Sequence, residues 1–155
     1  MNWGAIGAIS DIVAAFAVVV SLVYLSLQIR VQSKETHALA MHEIAAAFRE
    51  NIGKFSEEGL ADIVIKGIKD IGSLDEKERF ILVSSMNQLL RVWEEAYIMN
   101  KSGRLDDDLW RSITKQYASF MGSPPVFYVW NIRKEFYNDG FREYVDSCES
   151  TEYKV

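Results

Sequence analysis

Trp3–Ile29 reads WGAIGAISDIVAAFAVVVSLVYLSLQI, and from Ile12 to Leu27 it holds no charge, no glycine and no proline. The hydrogen-bonding side chains in that interval are Ser21, Tyr24 and Ser26. A hydrocarbon core about 30 Å thick takes roughly 20 mainly apolar helical residues, each rising about 1.5 Å. Ile9 to Gln28 meets that requirement and Trp3 to Ala8 extends it into the interface, so the stretch reads as one transmembrane helix. A cleaved signal peptide would need a basic leader and a small-residue cleavage site just past the run. Met1 and Asn2 offer only the α-amine, and the exit is Gln28, Ile29, Arg30; Ala38-Leu39-Ala40 fits the cleavage pattern but lies too far on. The central helix of a soluble bundle can also be apolar all round, but the length of this run argues against it. An interfacial helix would show a polar face, which Ile12 to Leu27 lacks.

Basic residues close to a span are retained on the cytoplasmic side. Arg30 and Lys34 follow the run, so the N-terminus is expected outside and the rest of the chain in the cytoplasm. Asp11 stands out, because a carboxylate within a membrane helix is costly and often marks function or a partner. Near the outer edge of the hydrocarbon it can also simply reach water. Gly4 with Ala8, Gly7 with Asp11 and Ser10 with Ala14 are each four apart, a spacing of small residues that lets helices approach closely. Gly4, Gly7, Ala8, Asp11 and Ala14 are therefore the candidate helix-association residues.

Beyond the anchor the chain is long enough for one compact domain. Net charge is −5, which repels a phosphate backbone and speaks against a nucleic-acid partner. The single cysteine, Cys148, excludes an intrachain disulfide and every multi-cysteine metal pattern. His37 and His42, five apart, fall on different helix faces, so no metal or other cofactor is expected.

Taken in order, 1–30 is expected to be the anchor, 31–149 a helical cytoplasmic domain whose first part, 31–55, is a stalk helix, and 150–155 a frayed tail. No glycine or proline interrupts Ala8 to Ile52, and Ala38, Met41, Ala45, Phe48, Ile52 and Phe55 mark one helical seam. Ser56 with Glu57 and Glu58 predicts a second helix start, ending at Gly72. Asp75 with Glu78 has capping-box spacing and opens the longest soluble helix, to about Asn100, stopped by Gly103. Leu82, Val83, Met86, Leu89, Leu90, Trp93, Ala96 and Tyr97 give it the broad apolar stripe of a central helix. Asp106 to Asp108 lack the ligand spacing of a calcium loop and predict a helix cap. Ser123-Pro124-Pro125 opens a further helix that is expected to bury Val126, Phe127, Trp130, Phe136 and Tyr137, with Arg133 near that face. A last short helix follows Asn138-Asp139-Gly140. The fold class is all-α: one N-terminal transmembrane helix and a bundle of about five helices.

Asn87 and Glu94, seven apart, border the central stripe. A half-buried carboxylate with an amide neighbour can serve as base or ligand, yet spacing ties no second carboxylate, nucleophile or histidine to it. Glu95 follows Arg91 by four and predicts an exposed pair. Aromatic residues gather in the last third, so Asn87, Glu94, Trp110 and Trp130 are the candidate pocket residues, against the plainer reading of aromatics as core.

SLVYLSLQIR (Ser21–Arg30), WEEAYIMNKSGRLDDDLW (Trp93–Trp110) and GSPPVFYVWNIRKEFYNDGFREYVD (Gly122–Asp146) together resemble a widespread, uncharacterised family of small bacterial proteins with one N-terminal membrane helix and a helical cytoplasmic domain. The resemblance implies a bacterial inner-membrane protein and carries over no activity. The leading expectation is a non-enzymatic accessory or interaction protein, self-associating or a subunit of a larger membrane complex, with membrane lipid around it. A tethered sensor or small hydrophobic ligand binder is the alternative; an enzyme built on Glu94 and a channel ringed by Asp11 are weaker readings.

Overall fold

The computed structural model describes the backbone from Trp3 to Thr151 and at Tyr153, and the side chains of Ile12, of residues 14–151 and of Tyr153. Within those residues the chain is all-helical, without strands. The helices are α1 (Trp3–Phe55), α2 (Glu58–Lys69), α3 (Glu76–Lys101), α4 (Asp107–Met121), α5 (Pro124–Arg133) and α6 (Asp139–Ser147), with 3-10 turns at Ile71–Ser73 and Lys134–Phe136. The chain separates into two compact units, Met1–Ala38 and Leu39–Val155.

The first unit is helix alone. Ile12, Phe16, Val18 to Val20, Leu22 to Leu25, Leu27 and Ile29 are all more than half exposed. Its richest window has a mean hydropathy of 1.9 and no buried residue, so α1 is long and apolar enough to cross a membrane. Several polar side chains among the described residues of this unit bond within the helix. Ser21 Oγ donates to the Ala17 carbonyl at 2.8 Å, and Gln28 Nε2 to Tyr24 Oη at 2.9 Å. Such back-bonding lets a hydroxyl sit in a medium without water.

In the second unit local sequence sets the helix ends. Asp75 accepts from the Glu78 N–H at 2.8 Å while the Glu78 carboxylate accepts from the Asp75 N–H at 2.9 Å, the reciprocal cap predicted for α3. The Glu78 carboxylate is held below the usual range, first by the hydrogen bond from Lys66 and then by that backbone N–H. Gly103 ends the α3 corner at φ +68°, a left-handed conformation that glycine adopts without a Cβ clash. Asp106 caps α4 by accepting from Asp108 and Leu109 N–H. Several expectations shift. α2 starts after Glu57 rather than at Ser56 and ends at Lys69, where Asp70 caps the following 3-10 turn. Ser123 precedes the prolines of α5 but turns its hydroxyl back to the Phe120 carbonyl at 2.7 Å instead of capping forward.

α3 is the central helix, packed against α2, α4, α5 and α6. Leu82, Leu90, Trp93 and Ala96 are fully buried, with Met86 and Leu89 nearly so. Each large apolar side chain removed from water contributes about 1.5–3 kcal/mol. Trp93 lies stacked on Tyr117 at 4.9 Å and edge-on to Phe141 at 5.4 Å, and Trp130 meets Phe141 edge-on at 5.9 Å. This aromatic core takes in much of the ring-rich last third. Phe127 and Phe136, expected inside, are instead exposed, and Val129 occupies the interior. From Leu39 onward α1 belongs to this unit, so the stretch expected to be a stalk is divided. Its buried face is Ala40, Ile44 and Asn51, with Phe48 and Phe55 packed on the core, rather than the seam through Ala38 and Met41, both exposed. The tail expected to fray touches α4 twice: Thr151 N–H donates to the Ala118 carbonyl at 3.3 Å, and the Tyr153 ring lies 6.1 Å from that of Phe120.

Candidate functional site

Asn87, Arg91 and Glu94 fall along one side of α3, spaced as a helix requires for side chains to share a face. Opposite them runs the Phe136–Asn138 turn between α5 and α6. Glu94 is buried, and both its carboxylate oxygens are engaged: Arg91 Nη1 donates to Oε2 at 2.6 Å and the Asn138 N–H donates to Oε1 at 2.6 Å. Arg91 reaches on, donating from Nη2 to the Phe136 carbonyl at 3.0 Å, and its guanidinium lies 4.1 Å from the centre of the Tyr137 ring. Tyr137 Oη donates to Asn87 Oδ1 at 2.8 Å. Burial pushes the Tyr137 phenol up to about 12; Glu94 adds to the rise and Arg91 and Arg133 oppose it. The cluster is thus a latch holding the α5–α6 turn to the central helix. Each oxygen of the Glu94 carboxylate already holds one structural N–H donor. Arg91 pairs with Glu94, whereas the pair anticipated with Glu95 is not formed among the described residues.

Beside this latch lies a recess of about 290 Å³ lined by Val83, Ser84, Asn87, Arg91, Arg133 and Phe136. A second cleft, of about 370 Å³, is mainly apolar and runs between the end of α1 and helices α2, α3 and α4, with Phe55, Val64, Ile68, Leu89 and Phe120 among its walls and Tyr153 at its edge. Ligand cavities begin at about 300 Å³, so both stand at the small end of that range. Neither was legible in advance, because each is assembled from residues on helices far apart in sequence.

The four candidate pocket residues do not converge. Asn87 lines the recess and Glu94 sits in the latch next to it. Trp130 is buried, its Nε1 donating to Asp146 Oδ1 at 2.9 Å. Trp110 is half-buried, 6.1 Å from the Tyr97 ring and 5.4 Å from that of Tyr144. Of the helix-association residues, the surroundings of Gly4, Gly7, Ala8 and Asp11 lie outside what the structure describes, and Ala14 is exposed. His37 and His42 are exposed. Among the described residues no three histidine, cysteine or carboxylate side chains gather as a metal site would require. Tyr117, which donates to the Leu89 carbonyl at 2.9 Å, and Tyr144, which donates to Thr114 Oγ1 at 3.1 Å, are both raised by burial, Tyr144 to about 12. Among the described residues neither phenol donates to a carboxylate or a histidine. No protein-family model matches the chain, and no curated protein or solved structure does either.

Proposed function

We propose that the protein is a single-pass membrane-anchored accessory or interaction protein without catalysis of its own, which either self-associates or joins a larger membrane complex. The observation that carries this reading is the set of large apolar side chains between Ile12 and Ile29, each of those described more than half exposed, on a helix where Ser21 and Gln28 bond back to the helix itself. Such a surface is unstable in water and suited to lipid or to another apolar helix. In support, the second unit has its own core, and its buried carboxylate Glu94 is spent on the latch. Arg30 and Lys34 favour an outside N-terminus and a cytoplasmic second unit, and the resemblance to small bacterial anchored proteins favours the inner membrane.

The test is extraction. The full chain should stay with the membrane pellet through an alkaline carbonate wash, enter solution with mild detergent, and migrate there as an oligomer or with co-purifying partners. Recovery in the supernatant without detergent would overturn the anchor; a strictly monomeric, partner-free detergent species would overturn the interaction role.

A second reading, a binder of small hydrophobic ligands, is favoured by the apolar cleft at Phe55, Val64, Ile68, Leu89 and Phe120 rather than by the aromatic last third, where the largest rings are core. An environment-sensitive hydrophobic dye should then be displaced by medium-chain fatty acids, and Val64→Trp, which fills the cleft, should abolish that displacement. A flat response in the parent chain would end this reading.

A further inference from the structure

We propose that the recess between α3 and the end of α5 binds the phosphoryl group of a phosphomonoester. Its two ionisable lining residues are Arg91 and Arg133, and no carboxylate lines it, in a chain whose net charge is −5. The neighbouring acids are already paired: Glu94 with Arg91 of the recess itself at 2.6 Å, Glu135 with Arg142 at 2.9 Å, and Asp146 with Lys134 at 3.5 Å. Arg133 is left without an ion-pair or hydrogen-bond partner among the described residues, its guanidinium 5.8 Å from the centre of the Phe136 ring.

The other donors are held in place before any ligand arrives. Arg91 is fixed by Glu94, by the Phe136 carbonyl and by the Tyr137 ring, and each of its terminal nitrogens keeps one N–H to give. Tyr137 donates to Asn87 Oδ1, which turns the amide so that Nδ2 is the free end, and Nδ2 has no protein acceptor among the described residues. Ser84 adds a hydroxyl. Two guanidiniums with an amide and a hydroxyl form a donor set whose one adjacent acceptor charge, Glu94, is already bound to Arg91, and guanidinium to phosphate is a strong, charge-assisted pairing. After the share of Arg91 neutralised by Glu94, about one positive charge remains, and a dianion gains more from it than a carboxylate does. The cavity, about 290 Å³, leaves room for an organic body beside the phosphate, against Val83 and Phe136. This site does not depend on the membrane reading.

The test is calorimetric titration of the full chain in a non-ionic detergent with inorganic phosphate, phenyl phosphate and soluble dihexanoyl phosphatidic acid. Phenyl phosphate should bind at one site, about tenfold more weakly in Arg133→Gln, partly restored in Arg133→Lys, and unchanged in Arg111→Gln, an exposed α4 residue that does not line the recess. Among the described residues Arg133 has no ion-pair or hydrogen-bond partner to lose, only the Phe136 ring beside it, and unchanged melting of Arg133→Gln checks that the fold stays intact. A gain for dihexanoyl phosphatidic acid over phenyl phosphate that disappears with Arg133→Gln identifies a lipid headgroup as the source; equal affinity identifies a soluble phosphomonoester. No heat with any of the three, or equal weakening by Arg111→Gln, would overturn the proposal.

Discussion

Glu94→Ala is the sharpest probe of how the second unit is held together. The substitution removes the acceptor of two hydrogen bonds, from Arg91 Nη1 and from the Asn138 N–H, both at 2.6 Å. Hydrogen bonds to a charged group are worth about 1.5–3 kcal/mol when fully sheltered. The Arg91 side chain is 43% exposed, so water recovers much of that half and about 0.5 kcal/mol is charged to it. The Asn138 N–H accounts for about 1 kcal/mol, and the one lost methylene for about 0.8 kcal/mol more. The sum is about 2.3 kcal/mol. Glu94→Gln keeps the methylene and one acceptor, loses the charge and one of the two bonds, and should cost about 1 kcal/mol. Urea unfolding of the full chain in mild detergent, followed by the fluorescence of the buried Trp93 and Trp130, measures both. The corresponding falls in Tm are about 9 °C and about 4 °C for a domain of this size. An alanine variant within about 1 kcal/mol of the parent, or a glutamine variant equal to it, would refute the latch.

Two further outcomes follow from local geometry. Asp75→Ala deletes one half of the reciprocal cap on α3 and should cost about 1 kcal/mol in the same unfolding assay, while Asp62→Ala, an exposed change inside α2, should cost far less. The Tyr137 and Tyr144 phenols are both raised to about 12 by burial, so the unfolded chain ionises first, near the ordinary tyrosine value. Their contribution is fully present below about pH 10 and is lost as pH rises towards 12. Stability measured between pH 9 and 12 should fall, and less steeply in Tyr137→Phe; a flat profile contradicts the burial of these rings.

The helix ends were largely legible, because their signals are local. The Asp75/Glu78 pair, Gly103 and Asp106 each act within one turn, and each does in the structure what its residue type requires. The central stripe of α3 was legible for a similar reason: its buried apolar residues recur at helical spacing from Leu82 to Met99, about five turns. Faces failed where periodicity offers no contrast. α5 reads PPVFYVWNIR, apolar nearly all round, so only tertiary packing decides that Val129 turns inward and Phe127 outward. At the end of α1 small and medium apolar residues occur on adjacent stripes, and the neighbours select Ala40 and Ile44 over Ala38 and Met41. The site was half visible. Glu94 and Asn87 announced themselves as polar residues beside a buried stripe, but what engages them, Asn138 and Tyr137, arrives from forty and more residues away, a distance no spacing rule reaches. Arg133 acquires significance only once Arg142 and Lys134 have claimed the surrounding acids.

Gly122 at the corner between α4 and α5 has an ordinary right-handed backbone, φ −71°, which any residue could adopt. What forbids a side chain there is the Thr151 carbonyl, which stands where a Cβ would be. The corner and the chain's far end therefore compete for one slot. Shortening the protein ahead of Thr151 would free position 122 to accept alanine, and placing alanine at 122 would evict the last residues, so changes at two distant places in the gene become interchangeable rather than additive.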